Sequence, residues 1–424
     1  MTAAVTRVVN AGRLIDGTGA AARGPTAVVI EDGVIADVRP LDRLGALPAG
    51  ADVYDGSRLT AMPGIIDCHD HVAHFGLDLG HRFQLAPSLA VLQVGRWLDD
   101  TLRAGVTTLR DAAGVDLGVK MAVDQGVIDG PRLLISLVII SQTGGHGDLT
   151  QPSGLSSDLP RLPGIPDGIA DGTDGVRRKV REVLKLGADW IKIATNGGGG
   201  SPRGGYTTRQ FCLDEVRVIV EEAHSKDVRV MAHAHGGESL DMCLATGVDT
   251  IEHGGLASDR QLEEMARRRI WMVPTLSVTQ RMVERIRRDP SSVPAYTAAR
   301  VPAMLEEKRK VFRRALELGV PIAMGTDAGA LGHGQNAREL VYMVEAGMTP
   351  MQSIVASTGD AARLLSMDDR VGTLRPGRRA DLLLVDGDPL DDIAVVADPD
   401  RLALVMKDGR VHKTLLNGSA PGAL

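Results

Sequence analysis

The feature that most constrains the fold of this chain is a repeated alternation between short apolar segments and longer amphipathic ones. From Gly64 to about Leu365 there are eight apolar runs, which read in order GIIDCH, VTTLRD, RLLISLVII, DWIKIAT, VRVMAHAH, DTIEHG, IWMVPTL and IAMGTDAG. Segments of helical period separate them, including those at 89–105, 176–188, 213–227 and about 303–318. Apolar strands separated by helices favour a parallel sheet covered on both faces. Eight such units predict an α/β fold, a closed (β/α)8 TIM barrel, with an open doubly wound sheet as the alternative.

The two ends of the chain differ from this central part. Residues 1–60 contain β segments broken by turns, such as TAVVIEDGVIADV, in which the DG pair signals a hairpin. Residues 367–424 repeat the pattern in RRADLLLVDGDPL and LALVMKDGRVHK. We therefore predict one small β-sandwich built from both termini, with the barrel at 61–366 inserted between its two parts. Residues 141–174 have no helical period, and a loop of this length is either a functional lid or a surface insertion.

Composition argues against several classes of function. The 424 residues carry a formal net charge of −6, so no basic surface for nucleic acid is expected. The longest apolar run, LLISLVII, is far shorter than the roughly 20 residues that span a bilayer, and the N-terminus lacks the pattern of a secretory signal. Cys68, Cys212 and Cys243 have no CxxC spacing and are interpreted as small core residues. We expect a cytoplasmic homo-oligomer that acts on a small molecule, with no nucleic-acid or membrane partner.

Side chains able to bind metal ions occur at the ends of five of the eight predicted strands. His69 and His71 are two residues apart in GIIDCHDH, so both face one side of the strand, while Asp70 points away. Two convergent imidazoles suit one zinc-like ion. The other residues of this kind are Lys192 in DWIKI, His233 and His235 in AHAHG, His253 in IEHGG, and Asp327 in GTDAG. Because barrel enzymes build their active sites at the carboxyl ends of the strands, this pattern indicates a metal-dependent site.

Lys192 has two interpretations. Its neighbours Ile191 and Ile193 are expected to face the helices, which leaves the lysine pointing into the barrel, where a lone ammonium is costly. The first interpretation is an ion pair with an inward-facing acid. The second is a neutral lysine that has reacted with carbon dioxide to form a carbamate, whose two oxygens are able to bridge two metal ions.

Taken together, GIIDCHDH, DWIKI, AHAHG, IEHGG and GTDAG resemble the metal-site signatures of the amidohydrolase superfamily, over nearly the whole chain. The chain is most similar to the imidazolonepropionase-like subgroup that includes Xaa-Pro dipeptidases and N-acyl amino acid or mycotoxin amidases. The resemblance implies two divalent metal ions, with zinc expected, although the same ligands accept manganese, cobalt or iron. It implies that the more buried ion is held by His69, His71 and Asp327, the second by His233 and His253, and that carboxylated Lys192 bridges them. The choice of His233 over His235 follows the resemblance alone.

A site of this kind implies a hydrolase. Two metal ions about 3.5–4 Å apart share a water and lower its pKa, so that hydroxide attacks a carbonyl polarised by the second ion. Asp327 is expected to take the proton and pass it to the leaving nitrogen. The expected substrate is a dipeptide or N-acyl amino acid with a free carboxylate; a carbamate, urea, lactone or phosphotriester is the alternative. A mononuclear deaminase and a binding protein without activity are further alternatives, which the filled ligand set disfavours.

Other residues near the strand ends are expected to contact the substrate. The resemblance suggests that His146, in QTGGHGD, contacts the carbonyl oxygen, and His235 is a similar candidate for catalysis. His333, in GHGQN, follows the eighth strand and is a candidate for substrate binding. In the glycine-rich loop NGGGGSPRGGYTT, Arg203 and Tyr206 are expected to bind the substrate carboxylate through a guanidinium fork and a hydroxyl. Solvated loop residues are the alternative for both.

Overall fold

The computed structural model describes residues 6–151, 153–156, 160–201, 203–330 and 332–416. Within these residues the strands, in chain order, are β1 Thr6–Leu14, β2 Thr26–Glu31, β3 Val34–Pro40, β4 Asp52–Pro63, β5 Ile65–Asp70, β6 Val106–Asp111, β7 Arg132–Ile135, β8 Ile139–Ile140, β9 Trp190–Ala194, β10 Arg229–Gly236, β11 Thr250–Leu256, β12 Trp271–Val273, β13 Leu382–Val385, β14 Leu402–Lys407 and β15 Arg410–Thr414. The α-helices are α1 Leu79–Gln84, α2 Pro87–Arg103, α3 Leu117–Asp124, α4 Gly172–Lys185, α5 Leu213–His224, α6 Gly237–Thr246, α7 Asp259–Arg268, α8 Leu276–Arg288, α9 Ala295–Glu317, α10 Arg338–Glu345, α11 Pro350–Ala356 and α12 Gly359–Leu365.

Strands from both ends of the chain form one mixed sheet of seven strands, in the order β15-β14-β13-β4-β1-β2-β3. β4 pairs parallel with β1 and antiparallel with β13, which joins the two termini. Val28, Leu384 and Leu404 belong to an apolar cluster separate from the main core, whereas Leu383 and Leu402 pack into the main core. The two ends therefore meet as predicted. The expected β-sandwich is a single continuous sheet in the described residues.

Two aspartate-glycine turns shape the hairpins of this sheet. Asp32 and Gly33, between β2 and β3, have φ angles of 48° and 81°, and Asp408 and Gly409, between β14 and β15, have 50° and 74°. Two successive positive φ angles suit a two-residue hairpin turn, and glycine adopts them without strain. The turns also touch, because a Cβ on Gly33 would lie 2.5 Å from the carbonyl oxygen of Asp408. The hairpin predicted from the DG pair of β2 and β3 is confirmed.

The central part of the chain forms two parallel sheets. One has the order β5-β6-β7 and the other β12-β11-β10-β9-β8. The third predicted strand is divided between them, because a φ of 66° at Leu137 interrupts the extended backbone between β7 and β8. The eighth predicted strand is not a regular strand: isolated bridges pair Ile322 with Met272 of β12, and Ala328 with Asp70 of β5. This segment therefore lies between the two sheets and connects their edges.

Helices α2, α4, α5 and α9 occupy the four segments for which helical period was noted. The largest difference is in α9, which begins at Ala295, well before the expected 303, and contains Pro302. A proline normally marks a helix boundary, because it lacks an N–H and clashes with the preceding turn. In the part of the chain that the structure describes, no helix combines the length and apolar character needed to cross a membrane.

The cysteine interpretation is correct for two of the three residues. Cys68 and Cys243 are buried, whereas Cys212 is exposed. Cys212 precedes α5, and its backbone N–H donates to Glu215 in the first turn of that helix at 2.6 Å. A residue at the start of a helix is more often exposed than one inside a strand. Composition alone does not show which of these positions a cysteine occupies.

Arg132 of β7 joins the parallel sheets to the terminal sheet. Its guanidinium donates to Asp381 at 2.8 Å and to Asp408 at 2.7 Å, and the Asp381 side chain is 2% exposed. We expect Arg132→Met to lower the free energy of unfolding by about 3–5 kcal/mol, because it leaves a buried carboxylate unpaired. Urea unfolding followed by circular dichroism measures this.

The matched control for Arg132 is Arg103→Met. Arg103 pairs with Asp99 at 2.8 Å, but both side chains are partly exposed, at 48% and 33%. An exposed pair of this kind contributes about 0–1 kcal/mol. Adding Asp381→Asn to Arg132→Met is expected to recover part of the lost stability. Equal losses from Arg132→Met and Arg103→Met would show that the buried pair does not hold the sheets together.

Candidate metal centre

The carboxyl ends of the parallel strands bring the predicted metal-binding residues into one cluster. The ring centroids of His69 and His253 are 5.1 Å apart, and those of His233 and His253 are 4.5 Å apart. Lys192 Nζ lies 3.4 Å from His69 Nε2. The remaining members of this cluster, which we call the histidine cluster, are His71, His235 and Asp327. Five separate chain segments therefore supply groups able to bind metal at one place.

His69, His71 and Asp327 form a set of three donors. Each offers one ligand atom, and these atoms lie within 4.8 Å of one another. Asp327 Oδ1 is 3.3 Å from His71 Nε2 and 3.7 Å from His69 Nε2. The side chains of His71 and Asp327 keep 16% and 25% of their surface exposed. His69, the third member of this set, is 1% exposed, and His233 and His253 are 5% and 4% exposed.

Hydrogen bonds to the far side of each ring fix the orientation of His69 and His71. Glu252 Oε2 lies 2.5 Å from His69 Nδ1, and the carbonyl oxygen of Ala113 lies 3.2 Å from His71 Nδ1. A carboxylate and a carbonyl accept, so each Nδ1 carries the proton and each Nε2 presents its lone pair. Burial and the charge of Lys192 lower the pKa of both histidines to about 4. Both rings are therefore neutral and suited to bind a metal ion.

Glu252 and Arg110 form a buried pair that the sequence interpretation missed. Both side chains are 0% exposed, and Arg110 Nη2 donates to Glu252 Oε1 at 2.9 Å. Burial raises the pKa of Glu252, but Arg110, His69 and Lys192 together lower it to about 2. Arg110 also lies over the Trp190 ring at 4.4 Å. The only sign of this pair in the sequence is Glu252, which precedes His253 in IEHGG. Period-two alternation would place these two side chains on opposite faces of β11.

Positive φ angles explain why this alternation fails. His253 has a φ of 72°, so Glu252 and His253 both turn toward the histidine cluster although they are neighbours. Thr275 and Asp327 have φ angles of 48° and 56°. Such angles are uncommon outside glycine and gather at functional sites, where the surrounding structure holds them. Two members of the cluster, His253 and Asp327, and its neighbour Thr275 are therefore residues of this kind.

Asp70 points away from the histidine cluster, as alternation predicts, and joins a second network. Asn336 Nδ2 donates to both Asp67 Oδ2 and Asp70 Oδ2 at 2.7 Å. Burial and the charge of Asp67 raise the pKa of Asp70 well above its usual range. Asp67 also accepts from the hydroxyl of Thr326 at 2.7 Å. This network fixes the backbone immediately before Asp327.

His233, His235 and His253 make up the second half of the cluster. His253 Nδ1 lies 2.7 Å from Thr275 Oγ1, and His233 Nε2 lies 3.3 Å from the carbonyl oxygen of Gly197. Because that carbonyl accepts, His233 keeps the lone pair of Nδ1 free. His235 Nδ1 is buried and has no hydrogen-bond partner in the described residues. The contacts leave both His233 and His235 able to bind a metal ion.

Lys192 lies at the centre of the cluster and is 1% exposed. Burial lowers the pKa of its amine to about 8, although Glu252 and Asp327 act in the opposite direction. Among the described side chains, the ion pairs of Glu252 and Asp327 are with His69, His71 and Arg110, and none includes Lys192. The charges of Glu252 and Asp327 thus act on Lys192 without a direct ion pair, and both interpretations of this lysine stay predictions.

The residues expected to contact substrate divide into two groups. His146 stacks on His233 with centroids 4.3 Å apart, and the Tyr206 ring meets His235 edge-on at 4.6 Å. Arg203 is exposed, and His333 stacks on Trp97 at 4.3 Å. No hydrogen bond or ring contact in the described residues joins Arg203 or His333 to the histidine cluster. His146 and Tyr206 are therefore next to it, together with His235.

Comparison with known proteins identifies the family. The amidohydrolase family profile matches residues 60–412. Ochratoxinase of Aspergillus niger is 33% identical over 427 aligned residues, which cover 96% of this chain and 86% of that protein. A solved Xaa-Pro dipeptidase with methionine bound in its active site has a TM-score of 0.87 and 30% identity, covering 96% of this chain and 99% of that chain. A prolidase solved with N-methylphosphonate-L-proline has a TM-score of 0.87 and 32% identity, with the same coverage.

These matches extend over nearly the whole length of both partners, so they include the parallel sheets and the sheet made from the two termini. The resemblance inferred from GIIDCHDH, DWIKI, AHAHG, IEHGG and GTDAG is confirmed at the level of the family. This chain belongs to the amidohydrolase family and is a hydrolytic enzyme.

Proposed function

We propose that this protein is a binuclear metal-dependent hydrolase that cleaves the amide bond of a dipeptide or N-acyl amino acid with a free carboxylate. The observation that carries the proposal is the convergence of His69, His71 and Asp327 within 4.8 Å, with Lys192 Nζ only 3.4 Å from His69. The dipeptidase, prolidase and ochratoxinase relatives support the reaction class. A cytoplasmic location and a homo-oligomer stay predictions.

We also propose that the two parallel sheets close into the eight-unit barrel predicted at 61–366. Support comes from segment 321–328, which bonds to β12 through Met272 and to β5 through Cys68 and His69. Every predicted ligand then lies at the carboxyl end of a barrel strand, where such enzymes bind substrate. Residues 1–60 and 367–424 would form the companion β domain.

The donors fit divalent metal ions. One site would use His69, His71 and Asp327, the second His233 and His253, with carboxylated Lys192 shared between them. When bound, such ions supply a water of lowered pKa and polarise the scissile carbonyl. Neutral imidazoles and a carboxylate suit zinc, and the proton on each Nδ1 leaves the Nε2 atoms of His69 and His71 free for it.

Asp327 is the residue best suited to move a proton. It is the most exposed member of the three-donor set, at 25%, so one carboxylate oxygen can face the substrate while the other faces His71. In our proposal Asp327 accepts a proton from the attacking water and delivers it to the leaving nitrogen. His146, which stacks on His233, and His235 are proposed to contact the carbonyl oxygen. Tyr206, which meets His235 edge-on, is proposed, with Arg203, to bind the carboxylate.

The first test is metal content and the state of Lys192. Protein grown with zinc is expected to contain about two metal ions per chain, and Lys192→Ala is expected to lose at least one of them together with activity, because the shared ligand is gone. Elemental analysis measures the metal. Labelling with 13C-bicarbonate is expected to give a carbamate carbon signal by NMR in the parent and none in Lys192→Ala.

The control for Lys192 is Lys310→Ala, since Lys310 is an exposed lysine paired with Glu307 at 2.8 Å. It is expected to keep both metal ions, the carbamate signal and full activity. If the parent holds a single metal ion and Lys192→Ala leaves metal content unchanged, the shared carbamate is wrong and a mononuclear deaminase becomes the better hypothesis.

The second test separates His233 from His235. Their ring centroids are 4.8 Å apart, and each residue is replaced by asparagine so that the two variants change the same chemical group. His233→Asn is expected to lose the second metal ion, whereas His235→Asn is expected to keep both and to lose activity alone. Metal content and kcat measured on the same samples decide this. The reverse result would move the ligand assignment to His235.

The third test concerns the substrate. We expect dipeptides and N-acyl amino acids to be hydrolysed roughly 10–100-fold faster, in kcat/KM, than the same compounds with an amidated carboxyl, because hydrogen bonds to a charged group contribute about 1.5–3 kcal/mol. Tyr206→Phe and Arg203→Met should raise KM for the free acids and leave the amidated compounds unchanged.

A matched control for Arg203 is Arg217→Met, which removes an exposed arginine of α5 that pairs with Asp214. It is expected to leave KM unchanged for every compound. Faster hydrolysis of a carbamate, urea, lactone or phosphotriester in the same panel would overturn the proposed substrate class without overturning the metal site.

A further inference from the structure

Ser201, in the glycine-rich loop between β9 and α5, makes a hydrogen bond with the ring of His146. The residue is 1% exposed, and its hydroxyl oxygen lies 2.7 Å from His146 Nδ1. The same oxygen accepts a hydrogen bond from the backbone N–H of Gly198 at 2.8 Å.

These two contacts favour one direction for the bond to His146. Because the Gly198 N–H donates to the hydroxyl oxygen, the hydroxyl hydrogen remains available to donate elsewhere. Among the described residues, His146 Nδ1 is the remaining partner at hydrogen-bond distance to which it can donate. An Nδ1 that accepts carries no proton. In this arrangement the neutral ring of His146 carries its proton on Nε2, the other ring nitrogen.

The position of Ser201 is itself fixed by helix α9. Arg300 Nη1 donates to the carbonyl oxygens of Ser201 at 3.0 Å and of Gly204 at 2.9 Å. Thr297 Oγ1 donates to the carbonyl oxygen of Gly199 at 3.0 Å. Three carbonyls of the loop are thus bound by one face of a helix, so the hydroxyl of Ser201 is held in place rather than carried by a free loop.

The ring of His146 is also confined. Its backbone N–H donates to Gln210 Oε1 at 2.8 Å, and its ring stacks on His233 with an interplanar angle of 23°. A Cβ on Gly198 would lie 3.2 Å from His146 Cε1 and 3.3 Å from His233 Cε1, so the glycine lets the loop backbone approach both rings. Stacking fixes the plane of the imidazole, and Ser201 fixes its rotation within that plane.

We propose that Ser201 is a positioning residue that holds His146 as the neutral Nε2–H tautomer, so that His146 donates a hydrogen bond to the substrate carbonyl oxygen as negative charge develops there. The identity of the acceptor rests on the proposed amide hydrolysis; the tautomer does not. A donor aimed at the developing oxyanion lowers the barrier selectively. With the other tautomer the ring would present a lone pair to that oxygen and repel it.

The test uses Ser201→Ala in the zinc-loaded protein without substrate. Side-chain 15N NMR, with the His146→Gln variant to assign the signals, is expected to show the parent with Nε2 protonated and Nδ1 bare. In Ser201→Ala the same ring is expected to give a mixture of tautomers. A parent spectrum with Nδ1 protonated, or a tautomer unchanged in Ser201→Ala, overturns the proposal whatever the substrate is.

Kinetics provide a second readout. With the compound hydrolysed fastest in the substrate panel, Ser201→Ala is expected to lower kcat by about 10–100-fold, the loss usual for an outer partner of an active-site histidine, with KM little changed. Ser201→Thr keeps the hydroxyl and is expected to restore much of the loss and the parent tautomer. A higher KM with unchanged kcat would contradict a role at the reacting carbonyl.

The matched control is Thr208→Val. Thr208 is an exposed residue of the same loop whose hydroxyl accepts from the Gly205 N–H at 3.0 Å, without contact to His146. Thr208→Val is expected to leave the His146 spectrum and kcat at parent values. If it lowers kcat as much as Ser201→Ala does, the effects of both variants are due to general loosening of the loop. If no amide substrate is found, the NMR result still decides the tautomer, so its failure is distinct from failure of the proposed function.

Discussion

The arrangement of the metal centre depends on one buried charge, the carboxylate of Glu252. Arg110 keeps it ionised inside the protein, at a distance of 2.9 Å, and Glu252 in turn holds the Nδ1 proton of His69. Without that acceptor, either ring nitrogen of His69 could carry the proton. In some molecules the proton would then be on Nε2, and the lone pair that faces Lys192 and Asp327 would be lost. A buried ion pair stabilises a fold weakly at best. The Arg110–Glu252 pair is therefore better explained by the orientation that it imposes on the ring of His69.

Backbone strain gives the same centre its shape. His253, Thr275 and Asp327 adopt positive φ angles, each of which costs about 1–3 kcal/mol, and each is held by neighbouring contacts. Lys308 donates to both the carbonyl and the hydroxyl oxygen of Thr275, at 2.8 and 3.2 Å. Asp327 is held through its backbone N–H, which donates to the carbonyl oxygen of His69 at 2.7 Å. The strained backbone turns toward the histidine cluster side chains that a regular strand would point away from it.

This strain also separates what the sequence reveals from what it does not. Period-two alternation was enough to select His69, His71 and Lys192, because β5 and β9 are regular up to those residues. It could not select Glu252, since the positive φ at His253 breaks the period there. The family was readable from motifs at the strand ends. Contacts across the fold were not, because the sequence does not show which side chain lies opposite Lys192, or that Arg203 would face solvent.

Helix α9 links the two sides of the site. Thr297 and Arg300, near its start, hold the glycine-rich loop, and Lys308, about two turns further on, holds Thr275 and through it His253. These positions follow helical spacing, so one face of one rigid element contacts both the loop beside His146 and Thr275, the hydrogen-bond partner of His253. The early part of the helix escapes sequence reasoning because Pro302 suggests a boundary. The proline is tolerated, and the helix therefore extends far enough to hold both the glycine-rich loop and, through Thr275, His253.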